Sequence, residues 1–367
     1  TPIGSIQGQV LSKYVKPGKT IIQVLGTDKY VLSDSTGAYI ISGLAQSTYQ
    51  LRAFSLNTRR DTSVLSDVQV TSGKASTEIN LQLNKIGILI VNGIHNHDWV
   101  TMEKYLKTIL NESDIFLVDV STSPTKDAPA EDWNNWNPRF SEYYAILLNV
   151  NNGTEDLEVP SSWPAQIRNN LLSYVEEGGG LFLMHGFSNS FIDWDPFMNM
   201  AGLAARLPGS YPGIYLNDQK EVVQIPLDSG SNPETLPADN FSIFVPSNQH
   251  PIMQNVPSVW LHPQDQLDFY LRGPQQNMTV LSYTKNPVTQ VREPVSWVVN
   301  FGKGRVYANV MGYLKAGAPN TAMRCAGFQT MIIRGLEWAA SNGVTYTLPN
   351  TFPTALETSL LDNLPVQ

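Results

Sequence analysis

The chain has 367 residues, of which 42% are hydrophobic and 15% charged, and its net charge is −8. That length and composition describe about two ordinary globular domains and exclude a disordered chain. No Lys/Arg cluster offers itself to phosphates, so nucleic acid and anionic membrane surfaces are excluded as partners, and no apolar stretch reaches the ~18 residues that a membrane-spanning helix needs. A single cysteine, Cys325, rules out an internal disulfide framework and any CxxC zinc or redox site.

The start at Thr1, without Met, fits a mature exported protein, so a periplasmic or extracellular location is expected. Eight Trp, 15 Tyr and many Asn suit a surface that stacks on and hydrogen-bonds sugars, and equally suit a large aromatic core.

Residues 1–84 read as all-β. Short alternating segments at Gly4–Val10, Thr20–Leu25, Lys29–Leu32, Gly37–Ile41, Tyr49–Phe54 and Thr77–Leu83 are separated by Pro17-Gly18, Gly26, Ser35-Thr36-Gly37, Gly43 and Ser72-Gly73. Such spacing predicts a small sandwich. The pattern Asp34…Gly37-Ala38-Tyr39…Gly43-Leu44…Tyr49-Gln50-Leu51 resembles the carboxypeptidase regulatory-like (transthyretin-like) domain. Asp and Gly would make its hairpin turn and the tyrosines would fill its core. The resemblance implies a structural or positioning module, not a catalyst. The segment Thr77–Leu83 runs almost directly into Ile86, so the module is expected to join the next domain through almost no linker.

From Lys85 the pattern alternates β and α. The run Ile86–Val91 stops at Asn92-Gly93, His95, His97, Asp98 and Trp99 follow, and Met102, Leu106, Ile109 and Leu110 then mark a helix face. A buried strand feeding a turn and a helix opens a parallel sheet, whose ligands sit outside the strands' carboxyl ends. Further strands are predicted at Ile115–Val120, Ala145–Val150, Leu181–Met184, Thr279–Tyr283, Pro294–Asn300 and Arg305–Val310. Helices are predicted over Ser162–Glu177, with Ser162 as cap and Gly178 as stop, and over Thr321–Ala340. The expected fold over 85–345 is therefore α/β, a doubly wound flavodoxin-like sheet preceded by the sandwich. Residues 346–367 read as an extended tail.

Tyr174-Val175…Gly178-Gly179-Gly180-Leu181…His185-Gly186 is followed by His250-Pro251-Ile252, then Asp265-Gln266-Leu267-Asp268-Phe269-Tyr270, then Pro294-Val295-Ser296-Trp297…Gly302-Lys303-Gly304-Arg305-Val306. In this order the blocks resemble the ThuA-like (trehalose-utilisation) family over about 86–340. That family is related to the class I glutamine amidotransferase fold, and the resemblance implies a role in sugar catabolism. Two blocks depart from it: Gly312-Tyr313 stands where the family often has Gly-His, and the segment 265–270 matches a D-E-x-Y-like block only approximately. Class I amidotransferases carry a nucleophilic Cys at the turn after the strand that ends at Met184. Here that turn reads Met184-His185-Gly186, and no G-x-S-x-G elbow exists either, so amidotransferase chemistry is excluded.

Several residues are candidates for chemistry, each with a plainer alternative. His185 ends a buried strand at the ligand edge and is the first choice for acid/base work, with His97, Asp268 and Glu293 as catalytic partners. His95 and His97 form an H-x-H that could hold a divalent metal together with His185, or could be a pair of loop histidines; no cofactor is otherwise expected. His95, Asp98, Trp99, Trp136, Asn189, Trp194 and His250 are candidates for binding a small carbohydrate. Against this, Asp98 could simply cap its helix, Trp133, Trp136 and Trp194 could form a packed lid, and His250 could pin its own loop. His262 is expected to be solvated, and Cys325 to be a buried, inert thiol. His97, His185 and His250 are expected around one pocket. The chain is thus expected to be a sugar hydrolase, lyase or isomerase; a non-catalytic glycan-binding scaffold and a metal-dependent hydrolase are the alternatives.

Overall fold

A computed structural model describes residues 3–12, 20–55, 62–93, 98–125, 127–150, 163–315 and 317–366. His95, His97, Pro17-Gly18 and the Ser162 cap lie outside the described residues. The chain divides into two compact units, one of residues 1–88 with 114–117 and 141–144, the other of the remainder.

The first unit contains two four-stranded sheets. Ala38–Ala45, Ile3–Ser12 and Ala75–Ser76 pair in that order with Leu81–Leu83 also on Ile3–Ser12, and the second sheet runs Tyr30–Leu32, Thr20–Val24, Ser47–Ser55, Ser63–Val70. The alternating residues Ile6, Val10, Ile22, Val24, Ile41, Leu51 and Val68 form one buried core, as period-two patterning requires. Asp34 makes the expected turn: its Oδ1 accepts from the Thr36 and Ala38 amides at 2.8 and 3.0 Å, which holds the carboxyl below its ordinary pKa through the hydroxyl and amide of Thr36 first. The strand Ser63–Val70 has no counterpart in the sequence reading, because only Val68 and Val70 of its eight residues are buried and the apolar signal is weak.

The large sheet orders Phe116–Thr122, Ile86–Gly93, Ala145–Val150, Gly180–Met184 and Gly304–Asn309. In chain order within that stretch this is 2-1-3-4-5, the flavodoxin-like arrangement. Ala145–Val150 runs parallel to Gly180–Met184, and that strand parallel to Gly304–Asn309. Both Ile86–Gly93 and Ala145–Val150 are buried along their whole length, which is why they read as unbroken apolar runs.

Beyond Gly304–Asn309 the expected doubly wound pattern gives way to an antiparallel extension of Arg292–Phe301, Met278–Lys285, Asp239–Phe244 and Val259–Asp265. The reason is local. Phe301 and Gly304 pair across a two-residue turn, and a connection that short permits only antiparallel neighbours. The strands Gly213–Leu216 and Val222–Ile225 are only four residues long, and Asp239–Phe244 and Val259–Asp265 contain Asp, Ser or Pro, so none carries a clear strand pattern in the sequence.

The last predicted helix is split into Thr321–Arg324 and Ala326–Ser341. Cys325 between them is extended and bridges to Leu360 of the tail. Tail amides and carbonyls replace helical partners there: the Leu361 amide donates to the Arg324 carbonyl at 2.8 Å and the Ala326 amide to the Ser359 carbonyl at 2.9 Å. The thiol is fully buried, as expected.

Candidate functional site

The strand Gly180–Met184 leads into a 3₁₀ turn, His185–Asn189, whose first residue has φ +30°. A β-carbon at positive φ is strained, and such strain persists only where the surroundings enforce it. His185 Nδ1 lies 2.7 Å from the Val310 carbonyl oxygen. A carbonyl can only accept, so Nδ1 carries the hydrogen, and the neutral ring keeps its lone pair on Nε2. The Tyr313 ring stands edge-on to the imidazole at 5.1 Å between centroids, and Met102, Asn149, Gly312 and Leu314 complete the surroundings.

Two buried asparagines close the neighbouring strand ends. Asn149 Nδ2 donates to Asn92 Oδ1 at 2.7 Å, and Asn92 Nδ2 donates to Glu103 Oε2 at 2.6 Å. The sequence signal for Asn149 is a polar residue inside the apolar run Ala145–Val150, and for Asn92 a polar residue closing the run Ile86–Val91.

The turn after His185 is held from two sides. The buried Arg206 guanidinium donates to the carbonyls of Ser188 and Ser190 at 3.0 and 3.1 Å; burial pushes its pKa down to about 10. The Ser188 hydroxyl donates to Asp268, whose other oxygen accepts from Thr235 Oγ1 at 2.5 Å. Asp268 is thereby tied to the turn His185–Asn189 through Ser188. Burial, and then the charge of Asp268, raises the Tyr313 phenol.

Two residues beyond Asp268, the Tyr270 amide donates to Glu293 Oε2 at 2.5 Å, and Asn286 Nδ2 donates to Oε1 at 3.2 Å. Glu293 lines a cavity of about 250 Å³ with Tyr215, Tyr270, Ile214, Ile225 and Arg272. Burial pushes its carboxyl up to about 7, within the range where a group both gives and takes protons at neutral pH.

Other predicted residues lie elsewhere or do other work. Among the described residues His250 is not clustered with another histidine. Its ring packs on Trp338 at 4.8 Å, and Arg305 Nε donates to the Trp338 and Ala339 carbonyls. Arg305 pairs with Gly180 in register at the amino ends of their strands, the edge opposite His185. His250 Nδ1 accepts from the Ile252 amide at 3.3 Å, pinning its own loop, and burial lowers its pKa to about 4.

Trp194 is buried against Phe191 and Phe197, with Arg168 over its ring, and so offers no free face to a sugar. Trp136 is half-buried, its Nε1 donating to Ser121 Oγ at 3.0 Å and its ring edge-on to Trp133 and Trp163. Trp99 opens its helix and is half-buried, and Asn189 is half-buried at the end of the 3₁₀ turn. His262 is fully buried rather than solvated, paired at 2.7 Å with Asp265. Among the described residues no group of three His, Cys, Asp or Glu side chains is arranged to hold a metal.

Asp98 does what the plainer alternative foresaw: its Oδ1 accepts from the Thr101 amide at 3.1 Å and caps the helix Trp99–Glu112. Asp98→Ala is therefore expected to lower stability by about 1 kcal/mol with little change in ligand affinity. Urea unfolding and binding measured on one preparation check this; an affinity loss without a stability loss would make Asp98 a ligand contact.

A model of the ThuA family, described as trehalose utilisation, matches residues 87–339. The chain belongs to the ThuA family. Among solved structures it is similar to a ThuA-like protein from Parabacteroides merdae, with 28% identity over 76% of this chain and 99% of that one and a TM-score of 0.69. A ThuA-like protein from Bacteroides uniformis shares 17% identity over 71% of this chain and 94% of that one, with a TM-score of 0.44. Among curated proteins none matches. Within this ThuA-family chain, Tyr313 packs edge-to-face with His185.

Proposed function

We propose that the chain is an exported carbohydrate-active enzyme that acts on a glycoside or keto-sugar in sugar catabolism, without amidotransferase activity. The observation that carries this reading is the commitment of His185 Nδ1–H to Val310, which leaves Nε2 as the base at a strained turn on the sheet's carboxyl edge. A base near a sugar C–H or O–H is what hydrolysis, elimination and isomerisation of an oxidised sugar share. Asp268, tied to the same turn through Ser188, and Glu293, poised near pH 7, are the carboxylates assigned to the reaction, and His97 is assigned as second imidazole. The family's description as trehalose utilisation supports a sugar ligand. Residues 1–84 are assigned as a non-catalytic, carboxypeptidase regulatory-like module, a reading supported by the Asp34 turn and by Tyr39, whose hydroxyl donates to the Ile79 carbonyl at 2.6 Å.

The test is a screen of glycosides and 3-keto-glycosides against wild type and His185→Ala. Turnover that disappears in the variant supports the proposal. One observation favours a non-catalytic glycan-binding scaffold instead: the space enclosed around His185 is only about 10 Å³, no more than a water occupies. Sugar binding without turnover of any member of the screen would establish that second reading.

A further inference from the structure

His185 is oriented by one loop, and that loop is anchored from behind. After the strand Gly304–Asn309 the chain presents the Val310 carbonyl to His185 Nδ1, then turns at Gly312, φ +96°, and places Tyr313 against the imidazole. Both amides that follow the turn point away from the site to a single carboxylate: the Gly312 amide donates to Asp265 Oδ2 at 2.7 Å and the Tyr313 amide to Asp265 Oδ1 at 3.1 Å. Asp265 in turn meets His262 Nε2 at 2.7 Å, and both side chains are fully enclosed. Trp260 and Phe328 flank the His262 ring at 5.8 and 5.7 Å.

A buried imidazole among aromatic rings is costly unless its polar atoms are used. Here the use is to hold Asp265, as outer partners hold the ligating side chains of metal sites. We infer that Asp265 and His262 are positioning residues that set the orientation and tautomer of His185 through the loop Val310–Tyr313. Supporting this, burial lowers the His262 pKa but hydrogen bonding to Asp265 and the nearby Cys325 side chain raise it, and the balance lies at about 9. The imidazole thus keeps its proton, and a charge-assisted bond to Asp265, through neutral pH. The Gly312 position has no room for error: a β-carbon there would lie 2.4 Å from the Phe328 ring, which also flanks His262.

The inference rests on the reading that the His185 edge is the working site, but its test requires no substrate. Asp265→Asn and His262→Gln are compared with wild type by ¹⁵N-histidine NMR, with His185 assigned through His185→Ala, and by amide hydrogen exchange. In both variants the His185 ring nitrogens are expected to move toward a mixed tautomer. The Gly312 and Tyr313 amides are expected to exchange roughly ten- to a hundredfold faster in Asp265→Asn, the loss that follows from weakening hydrogen bonds to a charged acceptor. Amides of Ala145–Val150 should keep their protection. An unchanged His185 tautomer overturns the inference, and so does a uniform rise in exchange that includes Ala145–Val150, because the pair would then only support the fold. A failure of the glycoside screen with these shifts intact would refute the enzyme reading and leave the positioning role standing.

Discussion

Replacing His185 by alanine is expected to reduce turnover per folded molecule by about 10²–10⁴, the usual cost of losing a positioned acid or base. It should also cost stability. His185 is 7% exposed and its Nδ1–H satisfies the Val310 carbonyl, so truncation leaves a buried acceptor unpaired at about 1–3 kcal/mol. The sequence places His185 just past a buried strand at the ligand edge; the structure shows that the side chain is itself buried. A second substitution separates the effects. Glycine tolerates φ +30° where alanine does not, so His185→Gly should be more stable than His185→Ala by about 1 kcal/mol while being equally inactive. Thermal unfolding and turnover measured on the same samples decide the matter. Full activity per folded molecule in either variant would make His185 structural.

The second large effect is a pH dependence carried by Glu293. Its carboxyl is raised to about 7 by burial, against about 4.3 for an ordinary glutamate. The folded state therefore binds this proton more tightly than the unfolded chain. The linked stabilisation is complete below about pH 4.3 and is lost as pH rises through about 7. The difference corresponds to about 4 kcal/mol in full, of which about 3 kcal/mol falls between pH 4.5 and 8. Glu293→Gln cannot ionise, so the change in unfolding free energy between pH 4.5 and 8 should shrink by about that amount relative to wild type. The buried His262, raised to about 9, also loses stabilisation as pH rises, but it does so equally in both proteins and cancels in the comparison. Urea unfolding at the two pH values reads the difference directly, and an identical slope in wild type and variant would show that Glu293 is already ionised in the fold.

What the sequence determined by itself was the frame. Unbroken apolar runs at Ile86–Val91 and Ala145–Val150 can be satisfied only as strands covered on both faces, and the Asp34 turn follows from side-chain chemistry three residues long. Ordered blocks around His185, Asp268 and Arg305 likewise carried the family, because they mark backbone turns and strand ends that local chemistry specifies. Tertiary structure decided which polar residues meet. His250 and His185 lie on comparable turn-like segments, yet the strand Gly180–Met184 and its partner Gly304–Asn309 separate them to opposite sheet edges. Trp194 and Trp136 read alike in Asn/Asp-rich loops, and only packing shows one enclosed and the other half-exposed. His262, flanked by prolines and polar residues, gave every local sign of solvation. It is buried because a carboxylate three residues on needs its proton to hold two amides 47 and 48 residues further along the chain, a partnership that no local pattern encodes.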